Sequence, residues 1–250
     1  MVSLSNTIAI GVRPTGGTGF NPTNQANLAL WVDAQQYTGA TDVAQWDDLS
    51  GNNQHLKQTV TLDKPTYQAS NAVANGHPAI FWAHGSTPEH LISDADVSYK
   101  DIYIVTAYKD GLDALFDTFN CLITGDDASF GGPRVIGNGG TNEISANNTV
   151  DATPEKNGGP ASAVVLPMPL SVLRATAGSV VTMRALGTNF INGTTTPTTG
   201  RNWQGPICEV IAYTTTRTSV QNDQILSYLE NRWGITRTRQ FSDQFSDKFA

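Results

Sequence analysis

The chain has 250 residues, a length that suits one large all-β domain or two small domains. Charged residues make up only 15% of it, and only five are Glu and six Lys, so the side chains that coat long solvated helices are scarce. The formal net charge of −7 argues against binding to a nucleic-acid backbone, which relies on clustered Lys and Arg. No apolar run approaches the roughly 18 residues of a membrane span. All-helical, nucleic-acid-binding and membrane-spanning classes are therefore disfavoured.

Residues 1–24 are rich in Gly and Pro without periodicity, which predicts an extended N-terminal arm. The first residues have neither a basic stretch nor an apolar run typical of a signal peptide, so we expect no export signal.

Apolar and polar residues then alternate with the period of two that is typical of β-strands. The predicted strands are Leu28–Ala34, Ala79–Trp82, Ile102–Tyr108, Asn120–Thr124, Leu170–Ala177, Val180–Leu186 and Ile207–Tyr213. The pair Gly178-Ser179 predicts a type II′ hairpin between two of them. The long Gly-rich stretch 126–160 is predicted to be a loop, which at this length is usually functional or mobile.

One helix is predicted near the C-terminus. Thr218 and Gln221 have the spacing of a capping box, an apolar stripe follows, and Gly234 ends the pattern. Such a helix is expected to lie flat against the sheet through its apolar stripe.

The last segment, 236–250, contains Phe241, Phe245 and Phe249 at intervals of four residues. On a helix the three rings would form one stripe. One interpretation is a frayed tail, because so short a helix is marginal in water. The interpretation that we favour is an anchor, because three aromatic rings are costly to leave in solvent. The anchor would insert its rings into a neighbouring subunit or partner.

The two cysteines, Cys121 and Cys208, could form one disulfide bond. A core of this size does not need one, and free cysteine commonly behaves as a small buried apolar residue. Buried free thiols are therefore the favoured prediction.

Several segments, in the same order along the chain, resemble the laminin-G-like, concanavalin A-like jelly-roll domains. They are Leu30–Ala34, Val43–Leu56, Asn75–Phe81, Phe190–Gly193, Gly205–Tyr213 and Tyr228–Ile235. The resemblance covers roughly residues 28–235 and implies an antiparallel β-sandwich with loops at its rim available for binding. We therefore expect an all-β jelly-roll domain at 25–235 with one C-terminal helix, between an arm at 1–24 and a tail at 236–250.

Two segments are candidates for a metal site. Within residues 46–53, Asp47, Asp48, Asn52 and Asn53 are types that build tight turns, and the favoured interpretation is structural. They are also hard oxygen donors of the kind that Ca²⁺ prefers, and some jelly rolls of this type hold calcium. Asp126 and Asp127 in the long loop form an equally weak calcium candidate. Otherwise no cofactor is predicted.

Catalytic signatures are sparse. The four histidines show no metal-ligand spacing, and no nucleophile elbow or phosphate-binding loop occurs. Some glycanases with this jelly roll use two glutamates close together on one strand. Glu209 lies on a predicted strand without a carboxylate two or four residues on, although a partner from another strand remains open. We expect no enzymatic activity.

Two segments combine an aromatic ring with polar groups, as sugar sites commonly do. One contains Trp82 and His84, and the other contains Arg201, Asn202 and Trp203. Either tryptophan could instead simply cover the core, although the loop position of Trp203 favours an exposed ring.

The resemblance implies a recognition fold, yet no export signal is predicted. Both features fit a virion component, made in the host cytoplasm and acting outside the cell. The leading expectation is a non-enzymatic structural or decoration protein of a bacteriophage virion, bound to other subunits or to itself, with host glycans as a further candidate partner. The alternatives are a stand-alone lectin module and, less favoured, a glycan hydrolase.

Overall fold

The structure is a computed structural model and describes residues 19–83, 88–125, 134–147, 154–190 and 196–237. Within these ranges the chain forms twelve strands and one α-helix. The strands are β1 (Leu28–Asp33), β2 (Gln45–Trp46), β3 (Leu56–Lys57), β4 (Thr66–Gln68), β5 (Ala79–Trp82), β6 (Leu91–Thr106), β7 (Cys121–Thr124), β8 (Arg134–Gly137), β9 (Ile144–Asn147), β10 (Glu155–Lys156), β11 (Ser171–Leu186) and β12 (Gly205–Tyr213), and the helix is α1 (Ser219–Trp233).

These strands belong to one antiparallel sheet that curls over on itself. Its main path runs β4-β5-β12-β6-β11-β7-β8-β9, while β1 pairs with β12, β10 pairs with β11, and β3 joins β2 to β6. The curl brings Gly187, just after β11, against Trp82 of β5, so closely that a Cβ on Gly187 would lie 2.0 Å from the indole nitrogen. The all-β fold class with one C-terminal helix is confirmed.

The sheet bends along its two longest strands, β6 and β11. The residue pair Thr176–Asp101 is followed by Val181–Tyr99, so β11 advances five residues while β6 advances two. Farther along, Met183 pairs with Val97 and Ala185 with Ile92, and there β6 holds the extra residues. Bulges bend a strand and increase its twist. Because the first bulge adds residues to β11 and the second adds as many to β6, both strands bend and the pairing beyond the bulges stays in register.

The predicted hairpin at Gly178-Ser179 is wrong. Both residues lie inside β11, in the bulge between Thr176 and Val181. Glycine in a strand can mark a bulge as well as a turn, and the pairing of both halves of β11 with β6 decides between them. The predicted loop 126–160 is also partly wrong, because β8, β9 and β10 form within it.

The central strand β12 is buried on both faces. Cys208, Val210 and Ala212 belong to the apolar core, whereas Glu209 on the opposite face binds residues of α1. The helix begins with the predicted capping box between Thr218 and Gln221 and ends at Gly234, whose φ of 65° is left-handed. In the described part of the chain, α1 has neither the length nor the apolar character to span a bilayer.

The ends of the described chain pack against α1. Phe20 contacts the ring of Tyr228, with the centroids 5.2 Å apart, although it belongs to the predicted arm. At the other end, Arg237 donates hydrogen bonds to the side chains of Glu230 and Asp223 at 2.6 Å and 2.8 Å. Residues just outside the predicted bounds 25–235 therefore also contact α1.

Candidate functional site

Trp203 is fully buried, and the predicted exposed ring is wrong. It contacts the rings of Tyr108 and Phe116, with centroids 5.5 Å and 6.2 Å away, and its indole nitrogen donates to the Ala107 carbonyl at 3.2 Å. Sugar binding through stacking needs an open ring face. Trp203 is therefore a core residue.

The other residues of the two proposed sugar sites are also engaged internally, where they are described. Trp82 is fully buried beside Gly187, and Asn202 is buried with its side-chain amide donating to the Ala83 carbonyl at 3.1 Å. Arg201 is partly exposed and lies over the ring of Phe119, 5.0 Å from its centroid. His84 lies outside the described residues.

The segment 46–53 builds a turn, as the favoured interpretation predicted. The Asp48 carboxylate accepts hydrogen bonds from the backbone nitrogens of Trp31, Ser50 and Gln54 at 2.9–3.1 Å, and from the Ser50 hydroxyl at 2.8 Å. Both carboxylate oxygens are thus used to fix the chain against β1. Among the described residues, no group of three or more His, Cys, Asp and Glu could hold a metal ion. Asp126 and Asp127, and the tail residues Phe241, Phe245 and Phe249, lie outside the described residues.

A pair of buried carboxylates lies between the sheet and α1. Glu209 of β12 is paired across the strands with Asp33 of β1, and both side chains are fully buried. The Glu209 carboxylate accepts hydrogen bonds from the Trp31 indole and the Tyr228 hydroxyl, both at 2.9 Å, and from the Trp233 indole at 2.6 Å.

The pair shares one cation, because Arg232 of α1 donates to Asp33 and lies 3.6 Å from Glu209. Burial, followed by the nearby Asp33 carboxylate, raises the pKa of Glu209 to about 7. Burial also raises the pKa of Asp33, against the opposing effect of Arg232. A carboxylate pair with raised pKa values resembles an acid/base site.

The spacing of glutamates in the sequence could not reveal this pair, because the partner of Glu209 is an aspartate on another strand. Antiparallel pairing of β1 with β12 brings together two residues that are far apart in sequence. Complete burial leaves no room for a sugar between Asp33 and Glu209. The contacts of the cluster join α1 to the sheet.

The most distinctive surface feature is an apolar patch on two neighbouring loops. Leu112, Leu115 and Phe119 lie in the loop between β6 and β7, and Val164 lies in the segment before β11. Their exposed fractions range from 45% to 79%. We call these four residues the loop patch.

Backbone contacts hold the two loops side by side. Tyr108 donates to the Met168 carbonyl at 3.1 Å, and a Cβ on Gly111 would lie 2.8 Å from the Cα of Pro169. The segment just before β9 connects them at a second point, because the Phe116 backbone N–H donates to the Thr141 carbonyl while Val164 forms a bridge with Glu143.

The loop between β6 and β7, which carries three of the four patch residues, is fixed by contacts among its own residues. The Tyr108 hydroxyl accepts from the Asp117 backbone at 3.0 Å and donates to Asn120, also at 3.0 Å. The Phe116 ring is buried against Tyr108 at a centroid distance of 4.7 Å. The backbone that carries these exposed side chains is therefore already ordered, so little conformational entropy would be lost on binding.

The patch is bordered by both signs of charge, because Arg201 lies over the ring of Phe119. Between residues 109 and 119 the loop holds one lysine and three aspartates, a net charge of −2. Lys109 is already paired with Asp113 and Asp117, at 3.4 Å and 2.7 Å.

A shallow depression of about 260 Å³ lies elsewhere, beside Tyr37. Burial, followed by the negative charge of Asp47, raises the pKa of Tyr37, whose hydroxyl donates to the Ala40 carbonyl at 2.7 Å. Tyr37 is half-buried, but the other residues that line the depression are exposed. The depression does not enclose a ligand in the manner of a small-molecule site.

No protein-family model, no curated protein and no solved structure matches this chain.

Proposed function

We propose that this protein is a non-enzymatic structural subunit of a multi-subunit particle, and that the particle is a virion. The observation that carries the proposal is the loop patch, four exposed apolar side chains on two ordered, adjoining loops. Exposed apolar side chains on adjoining loops are a feature of contact sites in soluble proteins. The virion is the particle that the sequence analysis favours.

The buried polar clusters support a structural role over catalysis. Glu209 and Asp33, the described carboxylates most like an acid/base pair, bind α1 and are closed to solvent. The lectin alternative depended on the rings of Trp82 and Trp203, and both are buried. Among the described candidate residues of these two alternatives, only Arg201 is partly exposed.

Sedimentation velocity and native mass spectrometry of the full chain, from low to high micromolar concentration, test the proposal. We expect a defined oligomer whose population grows with concentration. A chain that remains monomeric over the whole range, with no tendency to join a particle, would contradict a structural-subunit role.

A further inference from the structure

We propose that Arg134 and Asn189 form a binding site for a small oxyanion, either a carboxylate or a phosphate group. Arg134 is the first residue of β8, and Asn189 follows β11. In the sheet β7 separates these two strands, yet the Arg134 guanidinium donates to the side-chain oxygen of Asn189 at 3.4 Å. The inference goes beyond the structural-subunit proposal and does not depend on it.

Both side chains keep a buried donor without a protein acceptor. Because a guanidinium can only donate, the side-chain oxygen of Asn189 has to face Arg134. The Arg134 Nε and the Asn189 Nδ2 then have no hydrogen-bond partner among the described residues, although both atoms are shielded from solvent. A buried donor without an acceptor is costly, so a ligand or a bound water is expected beside these two.

The charge of Arg134 distinguishes between these two partners. Arg134 is only 8% exposed, and no described Asp or Glu forms an ion pair with it. The equally buried Arg217 also lacks one, but its guanidinium donates to two backbone carbonyls. Four other arginines each pair with an acid, namely Arg174, Arg184, Arg232 and Arg237. Because arginine is rarely buried unpaired, an anion suits Arg134 better than water does.

A second arginine adds to the positive charge on this side of β7. Burial raises the pKa of the Cys121 thiol on β7 to about 12, and the charges of Arg134 and Arg201 oppose that rise, so both lie near Cys121. Arg201 is partly exposed and lies over the Phe119 ring, and no described Asp or Glu pairs with it. In a chain of net charge −7, this is a local surplus of positive charge that attracts anions.

The backbone on both sides of the site is fixed. Arg134 pairs with Thr124 of β7 and Asn147 of β9, and the Asn189 carbonyl accepts from the Thr198 N–H at 2.7 Å. The donors are therefore positioned before a ligand arrives, and little ordering would be needed on binding. The small exposed fraction of Arg134 limits the ligand to a small group.

Isothermal titration calorimetry of the full chain with inorganic phosphate and with acetate, at constant ionic strength, tests the site and separates the two oxyanions. At least one should bind with a stoichiometry of one. Arg134→Gln should weaken this binding about tenfold or more, because it removes charge-assisted hydrogen bonds. Arg184→Gln is the matched control and should bind like the wild type. Arg184 also lies on a strand and has a buried Nε without a partner, but it pairs with Asp96.

A second variant tests the inference even if Arg134→Gln does not fold. Asn189→Asp replaces the amide by a carboxylate of nearly the same shape, which can pair with Arg134 inside the chain. This variant should no longer bind the anion. In a buffer without phosphate or acetate, its urea midpoint should lie above that of the wild type, because the buried charge of Arg134 is then compensated.

Three outcomes overturn the inference. Binding of neither anion, or equal binding by the wild type and folded Arg134→Gln, would leave water as the partner of the donors. An Asn189→Asp variant less stable than the wild type would show that Arg134 is already compensated. Binding seen only after the double change Asp126→Asn and Asp127→Asn would show that the chain's own acids occupy the site. None of these results concerns the oligomeric state, so the structural-subunit proposal is tested separately.

Discussion

Glu209 shows how a single buried side chain organises the contact between sheet and helix. Three neutral donors surround its carboxylate, two from α1 and one from β1, and each is within 2.9 Å. Indole nitrogens can only donate, so the ionised carboxylate satisfies them best. Burial and Asp33 oppose ionisation and raise the pKa of Glu209 to about 7.

We predict that the free energy of unfolding falls as the pH rises from about 4.5 to about 7. An acid whose folded pKa exceeds its unfolded value of 4.5 stabilises the fold fully below 4.5 and loses that contribution as the pH passes the folded pKa. The loss for Glu209 is on the order of 3 kcal/mol. Urea unfolding across this pH range measures it.

Glu209→Gln should remove the share of this slope that Glu209 contributes, while lowering stability at every pH because an amide N–H then faces an indole N–H. Burial also raises the pKa of Glu89 to about 7, so Glu89→Gln should remove a second share of the slope. The exposed Glu143→Gln is the control. A pH slope that survives both buried substitutions would disprove this assignment.

Trp203→Ala should destabilise the protein by about 4 kcal/mol, because it removes a large buried ring from the core. Urea midpoints of the variant and the wild type give the difference. The matched change is Tyr67→Ala, which removes a ring that is only partly buried and should cost less. A stability close to that of the wild type would show that Trp203 does not fill the core.

At the scale of elements, a second buried carboxylate ties three elements together. Asp101 of β6 accepts two hydrogen bonds from Arg174 of β11, at 2.8 Å and 2.9 Å, and one from the backbone of Arg217 before α1, at 3.0 Å. Arg174 also reaches Glu155 of β10 at 3.2 Å. The residues that hold β6 to β11 therefore also fix the start of the helix.

Asp101→Ala should cost about 3–5 kcal/mol, because it removes the fully buried member of the pair and leaves Arg174, whose side chain is only 11% exposed, without its main partner. Asp96→Ala is the matched control. Asp96 pairs with Arg184 across the same two strands, but at 3.8 Å and with both side chains partly exposed, so its removal should cost less than about 1 kcal/mol. Equal losses of stability in chemical denaturation would contradict the role given to burial.

At the scale of the whole molecule, β6 and β11 lie in the middle of the curled sheet and belong to both of its halves. Neither half is therefore complete without these two strands. Cys121 lies on β7 and Cys208 on β12, on different sides of these two strands, and both are buried free thiols as predicted. Burial raises the pKa of Cys121 to about 12 and that of Cys208 well above its usual value.

Neither thiol should react with a disulfide reagent at pH 8 in the folded protein, because the nucleophile is the thiolate. In rising urea both should become reactive at one common midpoint, the midpoint of global unfolding. Cys121→Ala and Cys208→Ala, each leaving one thiol, report the two positions separately. Two different midpoints would show that the two parts of the sheet unfold independently.

Local patterns in the sequence determine the elements whose signals span only a few residues. The alternation at Ala79–Trp82 gives β5 with the predicted bounds, and the spacing of Thr218, Gln221 and Gly234 gives both ends of α1. Side-chain oxygens that bond neighbouring backbone nitrogens explain why Asp48 builds a turn. In each case the partners are close in sequence, so composition and spacing are sufficient.

Tertiary structure decides what depends on partners distant in sequence. Pairing with β6 makes Gly178 part of a bulge instead of a hairpin, and pairing of β1 with β12 places Asp33 opposite Glu209. Packing of Phe116 and Tyr108 buries Trp203, which its loop position alone could not reveal. Burial is a property of the assembled layers, and only the folded chain separates a core ring from a binding surface.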